Sequence, residues 1–184
     1  MIFISNKKVL IITSNFGIEK DELIEPLEML KNHRISVTHA AIEVSNVQTV
    51  EGDKDFSTIV QPDITLKEVD PSKYDLLIVP GGTVNADTLR VNQDAQNIIN
   101  IFVKQNKILA FICHAPWLLI NSSQIKEKTL TSFNSIRLDL ENAGADWVDE
   151  TVHECTAQGW TLITSRCPDD IPAFNQAILS KLQA

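Results

Sequence analysis

Basic residues are in short supply. The chain has 184 residues, with 16 Lys and Arg against 24 Asp and Glu and a formal charge of −8. The acidic residues are spread along the chain rather than gathered into a tail. Nothing offers an electrostatic grip on nucleic acid or anionic lipid, so neither is expected as a partner. Long hydrophobic runs are missing too, none approaching the roughly 18–20 residues that a membrane span needs. The opening MIFISNKKVLIITSN places apolar residues ahead of its lysines, the reverse of a secretory signal. Cysteine is scarce, at Cys113, Cys155 and Cys167, too few for a disulfide framework and with no CxxC pair to suggest zinc. His153 and Cys155 share one face of an expected strand, but two ligands do not make a metal site. No metal or organic cofactor is expected. A reduced cytoplasm is the simplest compartment, which leaves the NSS sequon at Asn121 without meaning.

No internal repeat, low-complexity stretch or flexible linker divides the chain, and residues 1–184 read as one domain large enough for a sizeable core. Hydrophobic residues make up 43% and charged residues 22%, ordinary for a globular protein. KVLIITS (Lys8–Ser14) is a short β-branched run of the kind buried on both faces of a sheet. DELIEPLEMLKNH then sets Leu23, Leu27 and Leu30 at helical spacing, with Pro26 in the early turns. ISVTHAAI, YDLLIVPGG and KILAFIC read as further strands, and DAQNIINIFVKQ as an amphipathic helix. From Glu43 to Lys67 the pattern is weak. PWLLINS opens a helix at Pro116, and DLENAGA closes one at Gly144. TVHECTAQGWTLITS reads as a hairpin turning at Gln158–Gly159, and PDDIPAFNQAILSKL as a last helix. Strands alternating with helices predict an α/β sandwich around a mostly parallel sheet.

In such sheets ligands bind outside the carboxyl ends of the strands. Three strand ends carry chemistry: Glu19 and Glu22 after the first, Gly81–Gly82 after YDLLIVP, and Cys113–His114 after KILAFI. In a parallel sheet all three meet at one edge. A strand, a sharp turn and a helix around Cys113 is the elbow geometry that exposes a nucleophile. A helix N-terminus would lower the thiol's pKa from about 8.5. Gly82 can bring one backbone N–H close and His114 supplies another, together an oxyanion hole. A buried core cysteine is the alternative. The His114 ring reaches Cys113 only if the elbow is sharply bent. Glu19 and Glu22 could equally be solvated charges at a helix start. A proton donor there must be held protonated against the helix dipole, by burial or by a thiolate neighbour. Cys167, beside Arg166, reads as a loop thiol, and His33 and His39 as structural or exposed.

These motifs, taken together, resemble the PfpI family of intracellular proteases and deglycases. Its superfamily includes the parkinsonism-associated deglycase and the cofactor-independent glyoxalases. AFICHAPWLL is similar to the family's nucleophile motif, EKDELIEP to its N-terminal acidic motif and YDLLIVPGG to its oxyanion strand. NAGADWVDE and LITSRCPDDIPAFNQAIL resemble its C-terminal signatures. The resemblance implies a three-layer flavodoxin-like sandwich of the class I glutamine amidotransferase type. It implies Cys113 as nucleophile, Glu22 as proton shuttle and Glu19 as a second nearby glutamate. Gly81 and Gly82 would form the oxyanion strand end with the N–H of His114, and Arg166 would belong to the serine-arginine-x-proline motif beside the substrate. Asp87, followed by x-x-Arg90, would reach a histidine of a neighbouring subunit, so a homo-oligomer (dimer or hexamer) is implied. Departures are Ala115 for glycine, Trp117 for glutamine (which could narrow the pocket), Phe133 for tyrosine, and one extra residue before Asp87. Three functions follow as expectations: an enzyme acting on 2-oxoaldehydes or their adducts, a peptidase or amidase, and a sensor whose cysteine is oxidised.

Overall fold

The computed structural model describes residues 6–183. MIFIS, on which part of the signal-sequence reading rests, lies outside the described residues. The chain opens with β1 (Lys8–Thr13), short β2 (Phe16–Glu19), α1 (Lys20–Asn32) and β3 (Ser36–Ala41). The weakly patterned segment that follows is a hairpin, β4 (Val47–Glu51) and β5 (Asp55–Val60), and then the two-residue β6 (Ile64–Thr65). Next come β7 (Leu76–Val79), α2 (Thr83–Arg90), α3 (Gln93–Lys104) and β8 (Ile108–Ile112). The last third holds α4 (Trp117–Asn121), β9 (Thr129–Leu130), α5 (Arg137–Asn142) and β10 (Asp146–Trp147). β11 (Val152–Cys155), β12 (Thr161–Ser165) and α6 (Ile171–Gln183) complete it.

The main sheet runs β11-β12-β8-β7-β1-β3-β6, and every pairing in it is parallel except that of β11 with β12. Alternation along the strands divides the core into two. Leu10, Ile12, Leu77, Val79, Leu109 and Phe111 face one layer, with Ile98 and Phe102 of α3 and Leu118 of α4. Val9, Ile11, Leu76, Ile78, Ala110 and Ile112 face the other, with Leu23, Leu27 and Leu30 of α1 and Phe174 of α6. Both faces of the central strands are covered, which is why those strands read as unbroken apolar runs. The result is the mostly parallel α/β sandwich that the sequence pattern predicts, in the flavodoxin-like form that the resemblance implies.

The hairpin of β4 and β5 joins β2 in a small separate sheet above the carboxyl ends of the main strands. Its faint sequence signal has a physical cause. β5 is mostly exposed, with Phe56 at 73% and Ile59 at 53%, so no apolar face marks its period. The chain turns at Gly52 and Asp53, both with positive φ (62° and 59°), a pairing suited to tight turns. The helix at PWLLINS is also shorter than its motif implies, spanning five residues after a turn at 113–116. No helix among the described residues is long and apolar enough to cross a membrane.

Candidate active site

β8 delivers Cys113 to the edge of the sheet with its backbone bent into the left-handed region, at φ 63°. For a non-glycine residue this costs about 1–2 kcal/mol. Two backbone bonds hold it there. Cys113 N–H donates to the Ser165 carbonyl at 3.0 Å, and the Cys113 carbonyl accepts from Phe133 N–H at 3.0 Å. The bend swings the neighbouring ring inward, so His114 Nδ1 lies 3.1 Å from Cys113 Sγ. The backbone N–H groups of Gly82 and His114 act on the sulfur and favour its ionised form.

The third strand end contributes Glu22. Although it stands in the first turn of α1, it is fully buried. Its Oε2 accepts the Gly81 N–H at 2.7 Å. Its Oε1 is buried with no hydrogen-bond partner among the described residues. Burial pushes the carboxyl up to about 8, aided by the charge of Glu19 and opposed by the Gly81 bond. Burial therefore overrides the helix dipole, and a neutral carboxylic acid stands beside the thiol at neutral pH.

Cys113 corrects one expectation. It is 4% exposed, and burial together with the Glu22 charge pushes its thiol well above the ordinary value. An accessible thiol with a depressed pKa is not what the fold builds. The helix that was to lower it begins only at Trp117 and has five residues, too few to carry much of a dipole.

Glu19 does not reach the thiol. It caps the hairpin turn, accepting the N–H groups of Gly52 and Asp53, each at 3.1 Å. Arg166 is held by its own neighbours, with a two-pronged bridge to Asp170 (2.8 and 2.9 Å) and a third contact to Asp149 at 2.8 Å. Those contacts hold its pKa well above the usual arginine value. It lines a cleft of about 240 Å³ with Phe133, Trp147, Asp149 and Cys167. Phe133 joins this cleft to the site, because its ring also stacks on His114 at 4.8 Å. Trp117 packs against the same imidazole at 5.5 Å and donates to Asp139 at 2.8 Å. Asp87 is exposed on α2, and the carboxylate whose charge acts on the His114 ring is Asp53.

Sequence reasoning missed Asp53, Thr83 and Ser135. Asp53 accepts the Thr83 N–H at 2.6 Å and its hydroxyl at 2.8 Å. His114 Nε2 lies 3.4 Å from the Thr83 hydroxyl and 3.1 Å from that of Ser135. The Gly52–Asp53 turn pair was the available signal. Without a recognised hairpin it pointed nowhere.

Residues 7–181 match the profile of the DJ-1/PfpI family. The chain belongs to that family. General stress protein 18 of Bacillus subtilis is 37% identical over 179 residues, covering 96% of this chain and 98% of its own. Protein/nucleic acid deglycase 2 of Escherichia coli is 35% identical over 180 residues, covering 98% and 99%. Among solved structures, Drosophila melanogaster DJ-1beta superposes with a TM-score of 0.84 at 28% identity, over 96% of this chain and 90% of that one. No group of three or more potential metal ligands occurs among the described residues.

Proposed function

We propose that this DJ-1/PfpI protein is an enzyme that attacks small 2-oxoaldehydes, or their adducts on amines and thiols, with Cys113. One observation carries the reading: a buried carboxyl kept protonated near neutral pH, with an unpartnered oxygen, beside a thiol that two backbone N–H groups face. His114 is neutral, since burial lowers its pKa against the pull of Asp53, and its Nδ1 can take the thiol proton. The sulfur then bonds to the aldehyde carbon, and the oxygen's developing charge meets the N–H groups of Gly82 and His114. Protonation of that oxygen by Glu22 gives a hemithioacetal and leaves a carboxylate. The carboxylate removes the hydrogen from the former aldehyde carbon and returns a proton to the neighbouring carbon, while the hydroxyl proton passes to that carbon's oxygen, which produces a thioester. Water cleaves the thioester, releasing a 2-hydroxy acid whose ionisation re-protonates Glu22, while His114 returns its proton to the thiolate and restores the thiol. The sum is 2-oxoaldehyde plus water to 2-hydroxy acid, with no external oxidant or reductant. The name of the Escherichia coli relative supports carbonyl adducts as the substrate class. A reducing cytoplasm, where the three free cysteines would stay free, completes the proposal.

A second reading follows from the 3.1 Å Cys113–His114 contact. A thiol–imidazole pair can also acylate on an amide, which makes peptidase or amidase activity the alternative. The test is methylglyoxal consumption with lactate release by the purified protein beside Cys113→Ser. Wild type is expected to form lactate in step with methylglyoxal loss, and the variant to fall to the uncatalysed rate. Absence of lactate with wild type, or equal rates in the two, overturns the carbonyl reading. Peptide cleavage would then favour the alternative.

A further inference from the structure

The His114 imidazole is held from every side. Cys113 faces Nδ1, Thr83 of α2 and Ser135 face Nε2, and the rings of Phe133 and Trp117 pack against it. The charged group that acts on it comes from elsewhere in the sequence, the turn of the β4–β5 hairpin. We propose that Asp53 is the orienting acid of the Cys113–His114 pair, acting through the Thr83 hydroxyl, so that one chain contains the whole relay.

Hydrogen-bond polarity fixes the order. A carboxylate can only accept, so the Thr83 hydroxyl donates to Asp53 Oδ2 at 2.8 Å. The hydroxyl oxygen is then left as an acceptor turned toward His114 Nε2 at 3.4 Å. An imidazole that donates from Nε2 must accept at Nδ1, which is the nitrogen facing the thiol. The chain of contacts thus selects the tautomer that can take the Cys113 proton, and the imidazolium formed afterwards lies one hydroxyl from a carboxylate. Ser135 can serve as a second acceptor at Nε2 but brings no charge.

Asp53 is itself built in. Its N–H and that of Gly52 are taken by Glu19, which locks the turn, and its other oxygen caps the first residue of α2 at 2.6 Å. Glu19 thereby acts on the site from a distance, as a positioning residue for Asp53. The family resemblance led to an expectation of an acid from a neighbouring subunit, Asp87. This geometry needs no neighbour.

The inference rests on Cys113 being the reacting thiol, and its test is independent of substrate. The alkylation rate of Cys113 by iodoacetamide would be followed against pH in wild type, Asp53→Asn, Thr83→Val and Thr83→Ser, with Cys155 and Cys167 replaced by Ser throughout. Asn tolerates the left-handed backbone at position 53, so the turn survives the change. Loss of the charge in Asp53→Asn, or of the hydroxyl that links it to the ring in Thr83→Val, is expected to slow alkylation at pH 7 about tenfold, the relay outweighing the direct effect by which the Asp53 charge disfavours the thiolate. The His114 imidazole, followed by its C–H resonances in a Cys113→Ser background, is expected to titrate at lower pH when Asp53→Asn is added. Thr83→Ser keeps the hydroxyl and is expected to behave as wild type. Rates per chain are expected to hold on dilution through any oligomer dissociation. Unchanged alkylation and unchanged imidazole titration in Asp53→Asn, Thr83→Ser as slow as Thr83→Val, or a rate that collapses on dilution each overturn the relay. Lactate formation by wild type would stand untouched by any of these, so the two proposals fail separately.

Discussion

Glu22→Gln is expected to make the protein more stable at pH 7 and at least a thousandfold less active. The stability part follows from proton linkage. The carboxyl titrates at about 8 in the folded protein against an ordinary 4.5 when the chain unfolds. Below pH 4.5 both states hold the proton, and the group favours neither. Between 4.5 and 8 the unfolded chain releases the proton while the native protein keeps it, so stability falls as pH rises. Above 8 both are ionised and the loss is complete. Glutamine is neutral throughout and still offers an oxygen to the Gly81 N–H. At pH 7 the variant should gain on the order of 3 kcal/mol, less whatever its amide group loses by burial. Urea denaturation at pH 5, 7 and 8 checks this: the gap should be small at 5 and widest at 8. Curves with a constant gap would mean that Glu22 is ionised in the native protein, and its role as a proton donor would go with that result. The activity part follows because an amide cannot give and retrieve a proton. For wild type, kcat/KM should decline as pH rises through about 8, where the acid ionises.

Such a trade, stability withheld to keep a group functional, also explains how much of this protein was legible in its sequence. Central strands were readable because burial on both faces leaves β-branched, apolar runs, as in Leu76–Val79 and Ile108–Ile112. Their carboxyl ends fall at one edge by parallel topology alone, which is why the sequence itself groups Glu22, Gly81, Gly82 and Cys113. The electrostatics were not readable. Whether Glu22 is a solvated first-turn carboxylate or a buried acid depends on what covers α1, and the cover is supplied by strand ends distant in sequence. Cys113 shows the same limit, since a motif that positions a thiol does not say how deeply. The hairpin was illegible because its exposed strand carries no periodic apolar face, and Asp53 and its contact with Thr83, 30 residues on, were illegible with it.

The oxyanion strand end can be tested where it is least tolerant. Gly82→Ala is expected to be the most damaging small substitution in the chain. A Cβ at that position would lie 2.1 Å from the Gly17 carbonyl oxygen and 2.7 Å from the Glu19 backbone nitrogen. Both neighbours are backbone, so no flexible side chain can yield. The backbone at Gly82 also sits at φ 87°, which adds strain for any other residue. Relief requires β2 to move away from the start of α2, yet β2 is tied to β4 and leads into the Glu19 cap of the Asp53 turn. A loss of more than about 3 kcal/mol is expected from this overlap. It should appear as a lower urea midpoint, with lactate turnover down by about 10²–10³ as the Gly82 N–H leaves the position it holds toward Cys113. Gly81→Ala separates the two effects. Its added carbon would meet Glu22 Oε2 at 2.6 Å, Cys113 Cβ at 2.7 Å and the Ile112 carbonyl oxygen at 2.9 Å. Two of those contacts are side chains of the site itself, so activity should suffer there more than stability. A Gly82→Ala protein with a lowered midpoint but wild-type turnover would show that the Gly82 N–H is not the group that meets the developing charge. The oxyanion would then rest on the His114 N–H alone.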